Sequence, residues 1–241
     1  MKIAFCGDSY CNNIRKVSQP NKSYFPYPHL VAKEFNAKIL CNGLSGVALF
    51  HAYETMMENI EEADYIIFCV TEPYRFANRY RIPVGIDAVE LYNTLGDDFT
   101  GIGGTVRKKT LAKIKIAMKI YYEEIISHRY HVITQRGLLR EIDAVIKEYN
   151  KKCIFFKCFN STFCDYTFEN AVWGNLVLFD ISVAEEKYMT KKEIKSIANF
   201  TDWRLNHMNE QNNRNMANFI IDVIKQDDFT SREIDMRGYF K

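Results

Sequence analysis

The sequence predicts an α/β fold, a three-layer sandwich built on a mostly parallel sheet. Short unbroken apolar runs of strand length alternate with segments whose apolar residues recur at helical spacing. Glycine-bearing turn signals sit just past the strand-like runs. The 241 residues are 47% apolar and contain no Pro- or Ser-rich linker, which favours one domain spanning 1–241. A parallel crossover needs a helix-length connection and lays it on a face of the sheet, so this alternation puts the strands between two helical layers.

Residues 2–5 form the first strand candidate, with Gly7-Asp8-Ser9-Tyr10 directly after it. Residues 28–35 read as a helix with Leu30, Val31 and Phe35 inward, and residues 38–41 as a second short strand. Asn42-Gly43-Leu44-Ser45-Gly46 follows as a glycine-rich turn, then a helix over 49–60. Residues 65–70 (YIIFCV) are the clearest buried strand. Residues 71–105 read as a long irregular insertion, a length that in a compact domain points to a lid or binding surface. Tyr74, Phe76, Tyr80 and Tyr92 give it aromatic faces for stacking on sugar rings or for covering an acyl pocket. Leu111, Ile114, Met118, Tyr121, Tyr122 and Ile125 repeat at helical spacing, as do Leu138, Ile142, Val145, Ile146 and Tyr149. Residues 153–158 (CIFFKC) and 176–181 read as further strands. Thr190-Lys191-Lys192-Glu193 has capping-box form ahead of a short helix. Met216, Phe219, Ile220, Val223 and Ile224 stripe the last helix.

Sites in such sheets lie beyond the carboxyl ends of the strands. Ser9, Gly46 and Thr71 each fall just past a strand candidate, so this fold gathers all three on one rim. A serine behind a strand end, preceded by glycine, can sit on a tight turn that exposes its hydroxyl. His207 opens a polar stretch before the last helix, and a neutral imidazole suits the task of taking a serine proton. His29, His51, His128 and His131 have no comparable setting and read as structural or solvated.

Gly7-Asp8-Ser9, then Asn42-x-x-Ser45-Gly46, then Asn206-His207-Met208-Asn209-Glu210 with Asn213 and Ala217, resemble the blocks of the SGNH (GDSL) hydrolases. The resemblance spans residues 2–224 in the family's order. It implies a flavodoxin-like sandwich of the SGNH-hydrolase kind whose Ser9 attacks a carboxylic ester and carries the acyl group. It also implies that the backbone amides of Ser9 and Gly46 bind the oxyanion. An O-acetyl group on a carbohydrate is the first substrate to test.

The chain departs from the family pattern at two places. The aspartate normally found three residues before the histidine is Arg204 here, and the nearest acid is Asp202. Asp202 orients His207 if the loop over 202–206 folds back on itself; otherwise a backbone carbonyl does so and a Ser–His dyad remains. Arg204 then either binds an anionic substrate group or braces the loop. In the third block Thr71 stands where the family has an oxyanion-binding asparagine. Its hydroxyl can donate one hydrogen bond, and Arg75 is a second candidate donor.

Composition narrows the partners. With 32 basic and 30 acidic residues the net charge is +2, so no nucleic-acid footprint is expected, and Arg107-Lys108-Lys109 reads as solvated charge. Seven singly scattered cysteines without zinc-finger spacing suggest reduced thiols and a cytoplasmic setting. No signal peptide or membrane-length apolar run is visible, so no membrane partner is expected. No His/Asp/Glu cluster has ligand spacing, so neither metal nor other cofactor is expected. The expected partner is a small-molecule or carbohydrate ester. Two other functions compete: a binding module on the same fold whose site has decayed, and a nucleotide-binding protein using Gly101-Ile102-Gly103-Gly104-Thr105. The second is weaker, because that run follows no clear strand and lacks a Lys-Ser/Thr ending.

Overall fold

A computed structural model describes residues 1–12, 25–44, 46–72, 74–77, 99–101, 104–106, 108–159, 166–178, 181 and 208–240. Strand β1 (Lys2–Cys6) leads into a single 3-10 turn over Ser9–Cys11. Helix α1 (Tyr27–Glu34) starts behind Pro26 with Pro28 in its first turn, where a missing N–H costs nothing. Strand β2 (Lys38–Cys41), helix α2 (Leu49–Asn59) and strand β3 (Tyr65–Val70) follow. Next come β4 (Phe99–Gly101), β5 (Gly104–Val106) and α3 (Lys108–Ile120), which runs into a π-helical turn at Tyr121–Ile125. Ser127 caps α4 (His128–Glu148), its hydroxyl accepting the Tyr130 N–H at 3.3 Å. Strands β6 (Lys152–Lys157) and β7 (Val172–Val177), helix α5 (Glu210–Gln226) and strand β8 (Arg232–Ile234) complete the described elements.

Six strands form one sheet in the order β2-β1-β3-β6-β7-β8, and every pairing in it is parallel. Alternate residues of each central strand supply opposite faces. Ile3, Phe5, Ile67, Cys69, Ile154 and Phe156 pack with Tyr27 and Val31 of α1 and with Met216, Phe219, Ile220 and Val223 of α5. Ala4, Cys6, Ile66, Phe68, Cys153 and Phe155 pack with Leu49, Ala52 and Met56 of α2 and with Leu139, Ile142 and Ile146 of α4. The sheet is therefore covered on both sides, and β3 can be buried at every position. Strand order turns back between β1 and β3, because β2 lies to one side of β1 and all later strands lie to the other. In sheets of this topology ligands usually bind beyond the carboxyl ends of the strands at such a reversal, here those of β1 and β3.

The structure moves some of the expected elements. The strand expected over 176–181 is β7 at Val172–Val177. Gly174 and Asn175 interrupt its apolar run, but Val172 and Trp173 pair with β6 and β8, and tertiary pairing overrides local preference. Strand β8 has three residues and exposed flanks, too short a pattern to read. The 71–105 insertion holds an antiparallel ribbon in which Gly101 faces Gly104. Gly101 and Gly104 thus lie at a ribbon end rather than between a parallel strand and its helix, which is not the context a phosphate loop needs. The helix expected around 138–149 begins ten residues earlier, at the Ser127 cap. The capping-box segment at 190–193 lies outside the described residues. Among the described residues no helix is long and apolar enough to cross a membrane.

Candidate functional site at the sheet rim

Ser9 is the first residue of the 3-10 turn, just past β1 at the point where the strand order reverses. The chain must turn sharply there and press against β3. Gly7 allows it: its φ is +147°, and a Cβ at that position would lie 2.6 Å from the Cys69 Cβ and 2.7 Å from the Cys69 carbonyl oxygen. Asp8 caps the turn, its Oδ1 accepting the Tyr10 N–H at 3.0 Å. The Cys11 N–H donates to the Asp8 carbonyl at 3.0 Å and the Asn12 N–H to the Ser9 carbonyl at 3.3 Å. The loop after β2 is stitched to this turn, with the Gly43 N–H donating to the Cys11 carbonyl and the Leu44 N–H to the Gly7 carbonyl, both at 2.9 Å. Ser9 is half-buried, and among the described residues its hydroxyl and its N–H make no hydrogen bond.

The neighbouring strand ends bring further predicted residues to the same rim. Gly46 follows β2 with φ +74°. Thr71 follows β3 and is buried, 2% exposed, with no partner for its Oγ1 among the described residues. Asn42 Oδ1, past the end of β2, is likewise buried and unpartnered there. Buried polar atoms without partners are uncommon and mark places where a ligand or water completes the bonding.

Arg75 is at the rim too, in a different role from the one its sequence position suggested. Its Nη1 donates to Asp8 Oδ2 at 2.7 Å, and its Cζ lies 4.9 Å from the Phe159 ring centroid. The Asp8 side chain is fully buried, and that of Arg75 is 19% exposed. The charge offered for an oxyanion is therefore already engaged with a carboxylate.

Beneath the turn lies a buried group of Cys11, Cys69, Cys158 and Tyr27. The Tyr27 hydroxyl lies 3.3 Å from Cys11 Sγ and 3.4 Å from Cys69 Sγ. Burial pushes the Cys11 and Cys69 thiols well above their usual range and the Cys158 thiol up to about 12. These sulfurs stay protonated and are poor nucleophiles, which leaves Ser9 as the reactive candidate of the turn. Tyr27 also connects the turn to α5. Its N–H donates to Asn213 Oδ1 at 3.0 Å, while Asn213 Nδ2 donates to the carbonyls of Met208 and Asn209, each at 2.9 Å. Met208 is buried in the same apolar cluster as Tyr10 and Cys11. The Asn209 side chain caps α5 by accepting the Asn212 N–H at 2.6 Å. His207, Asp202 and Arg204 lie outside the described residues.

Of the remaining histidines, His51 is buried in the first turn of α2, its Nδ1 2.9 Å from Glu54 Oε2. His131 is buried in the first turn of α4 and stacks on Tyr74, with centroids 5.3 Å apart and planes 16° apart. Among the described residues no group of three His, Cys, Asp or Glu side chains could hold a metal ion. The contributions of Asp8, Phe159 and Tyr27 were missed in the sequence. Asp8 carried a usable signal, an aspartate heading a tight turn. Its pairing with a residue 67 positions away carried none. No protein-family model matches the chain, and no curated protein matches it.

Proposed function

We propose that the protein is a serine hydrolase of the SGNH/GDSL type that cleaves a carboxylic ester through an acyl group carried on Ser9. The observation that carries the reading is the turn itself. A serine hydroxyl that makes no hydrogen bond among the described residues stands on a constrained turn at the switch point of a parallel sheet, with adjacent strand ends supplying donors. The position after His207 adds support, because Met208 packs in one cluster with Tyr10 and Cys11 of that turn.

In this reading His207 takes the Ser9 proton as the hydroxyl oxygen bonds to the ester carbonyl carbon. The Ser9 and Gly46 N–H groups, with the Thr71 hydroxyl, stabilise the oxyanion, each donor worth roughly 3 kcal/mol where such donors have been removed. His207 then returns the proton to the departing alcohol, and water repeats the sequence to free the acid. Asp202 or a backbone carbonyl orients the imidazole. Because Arg75 is engaged by Asp8, Thr71 is the more available side-chain donor.

The same ion pair also favours a second reading, a binding module on this fold that no longer turns over ester, since it removes a strong oxyanion donor. One experiment separates the two. A fluorophosphonate should add once, at Ser9, and the protein should hydrolyse members of a p-nitrophenyl ester series from acetate to palmitate. Ser9→Ala should abolish both and His207→Ala should nearly abolish hydrolysis. Absence of labelling in the folded wild-type protein, or hydrolysis that survives Ser9→Ala, overturns the hydrolase reading.

A further inference from the structure

We propose that Arg75 is a positioning residue that locks the serine turn through Asp8, so that Ser9 is competent only while the segment after β3 is seated over it. The effect on chemistry rests on the serine-hydrolase reading, whereas the effect on the turn rests on geometry alone.

The contacts form a closed circuit. Asp8 Oδ1 accepts the Tyr10 N–H at 3.0 Å, and its Oδ2 accepts Arg75 Nη1 at 2.7 Å. Arg75 lies over Phe159 at 4.9 Å, and Phe159 returns to Tyr10 edge-to-face with centroids 5.9 Å apart. Three segments, following β1, β3 and β6, thereby hold one another at the rim, and Ser9 sits between the two turn residues that enter the circuit. A guanidinium offers several donors in a fixed fork and a planar face for the ring, so it holds both contacts in one geometry; an ammonium keeps the charge but not that fork. Without Arg75 a fully buried carboxylate would keep, among the described residues, the Tyr10 N–H alone for its charge, an arrangement that favours opening of the turn.

The circuit extends away from the serine. The Arg75 N–H donates to the Glu72 carbonyl at 3.3 Å, and Glu72 Oε1 accepts the Tyr74 N–H at 3.0 Å. Tyr74 stacks on His131, and its carbonyl accepts the Tyr122 hydroxyl of the π-helical turn. Seating Tyr74 therefore seats Arg75, which sets Asp8 and with it Ser9. Tyr74 and the Ser9 turn thus share one mechanical link.

The test uses the full chain as Arg75→Met and Arg75→Lys. Amide hydrogen exchange should show protection at Tyr10, Cys11 and Asn12 falling at least about tenfold in Arg75→Met while Ile66 to Phe68 of β3 keep theirs. Fluorophosphonate inactivation should lose at least about tenfold in its limiting rate constant with the probe's binding constant within about twofold, since the defect lies in orientation. Arg75→Lys should recover part of both. Unchanged protection at Tyr10 to Asn12, or a loss spread evenly through the sheet, overturns the proposal. If wild type reacts with the probe and Arg75→Met reacts as fast, the proposal fails and the hydrolase reading stands. If wild type does not react, the hydrolase reading fails and the exchange result still decides the latch.

Discussion

Replacing Gly43 by alanine tests whether the loops after β1 and β2 form one unit under Ser9. A Cβ at this position would lie 2.2 Å from the Asp8 carbonyl oxygen and 2.5 Å from the Cys11 Cβ. Relaxed contacts are about 3.3 Å for carbon to oxygen and about 3.5 Å for carbon to carbon. The serine turn must therefore retreat by roughly 1 Å. The obstacle is backbone rather than the end of a flexible side chain, so no rotamer change relieves it. A retreat of that size carries the bonds from Gly43 to Cys11 and from Leu44 to Gly7, both 2.9 Å, beyond hydrogen-bonding range. Overpacking costs about 1–3 kcal/mol and each lost bond about 1 kcal/mol, a destabilisation of roughly 3–5 kcal/mol. For a chain of this length that corresponds to a fall in melting temperature of about 10 °C. A shift of about 1 Å at the nucleophile should also cost on the order of a hundredfold in fluorophosphonate reactivity. Thermal unfolding followed by tryptophan fluorescence and the second-order labelling rate measure the two effects. A melting temperature within about 2 °C of wild type would refute the stitched-loop geometry. A large thermal shift with undiminished labelling would refute its connection to Ser9.

Two further outcomes follow from a buried carboxylate and from two half-buried phenols. The Asp143 side chain, itself buried, accepts the Tyr166 hydroxyl at 3.1 Å and the N–H groups of Glu169 and Asn170 at 2.8 and 3.0 Å. Asp143→Ala should lower unfolding stability by about 2–4 kcal/mol in a urea titration, because donors in the lead-in to β7 lose their acceptor; a change under about 0.5 kcal/mol would show that this carboxylate does not organise that segment. The Tyr166 and Tyr239 phenols are pushed up to about 12, by burial first and then by Asp143 and Asp222 respectively. An unfolded tyrosine titrates near 10, so these groups stabilise the fold fully below about pH 10 and lose that contribution as pH rises toward 12. Urea midpoints should fall steeply between about pH 10 and 12, and ultraviolet titration should show late-ionising phenols; ionisation of every tyrosine near pH 10 in the folded protein would contradict the assignment.

The elements legible in the sequence were those whose pattern is local. Tyr65–Val70 reads as a strand because both its faces are covered, and α5 reads as a helix because Met216, Phe219, Ile220 and Val223 share one face. Their order sufficed to place Ser9, Gly46 and Thr71 at one edge of an α/β sheet. Val172–Val177 was displaced because Gly174 and Asn175 obscure an apolar run whose strand character comes from its neighbours β6 and β8. Arg75 was legible as a rim residue but not as a partner of Asp8. Its sequence context shows a charge near a strand end; only the folded sheet brings a buried carboxylate and an aromatic ring to meet it.

That pairing changes what the aspartate of Gly7-Asp8-Ser9 does. One oxygen of its buried carboxylate accepts the Tyr10 N–H of the turn and the other accepts Arg75 from the segment after β3. In the proposed hydrolase a carboxylate so engaged is a poor candidate to orient the imidazole, and the acid for His207 would come from elsewhere in the chain or be replaced by a carbonyl. The contribution of Asp8 to chemistry is then the shape of the turn. It fixes where the Ser9 oxygen stands, an oxygen that makes no hydrogen bond among the described residues. The segment after His207 is tied to the same structure by a separate route, through Asn213 to Tyr27 and on to Cys11. The serine turn and the Met208–Asn209 segment are thus anchored to one buried cluster by different contacts. The two routes separate experimentally: changes at Arg75 should act on the serine turn, whereas changes at Asn213 should act on the segment that follows the proposed base.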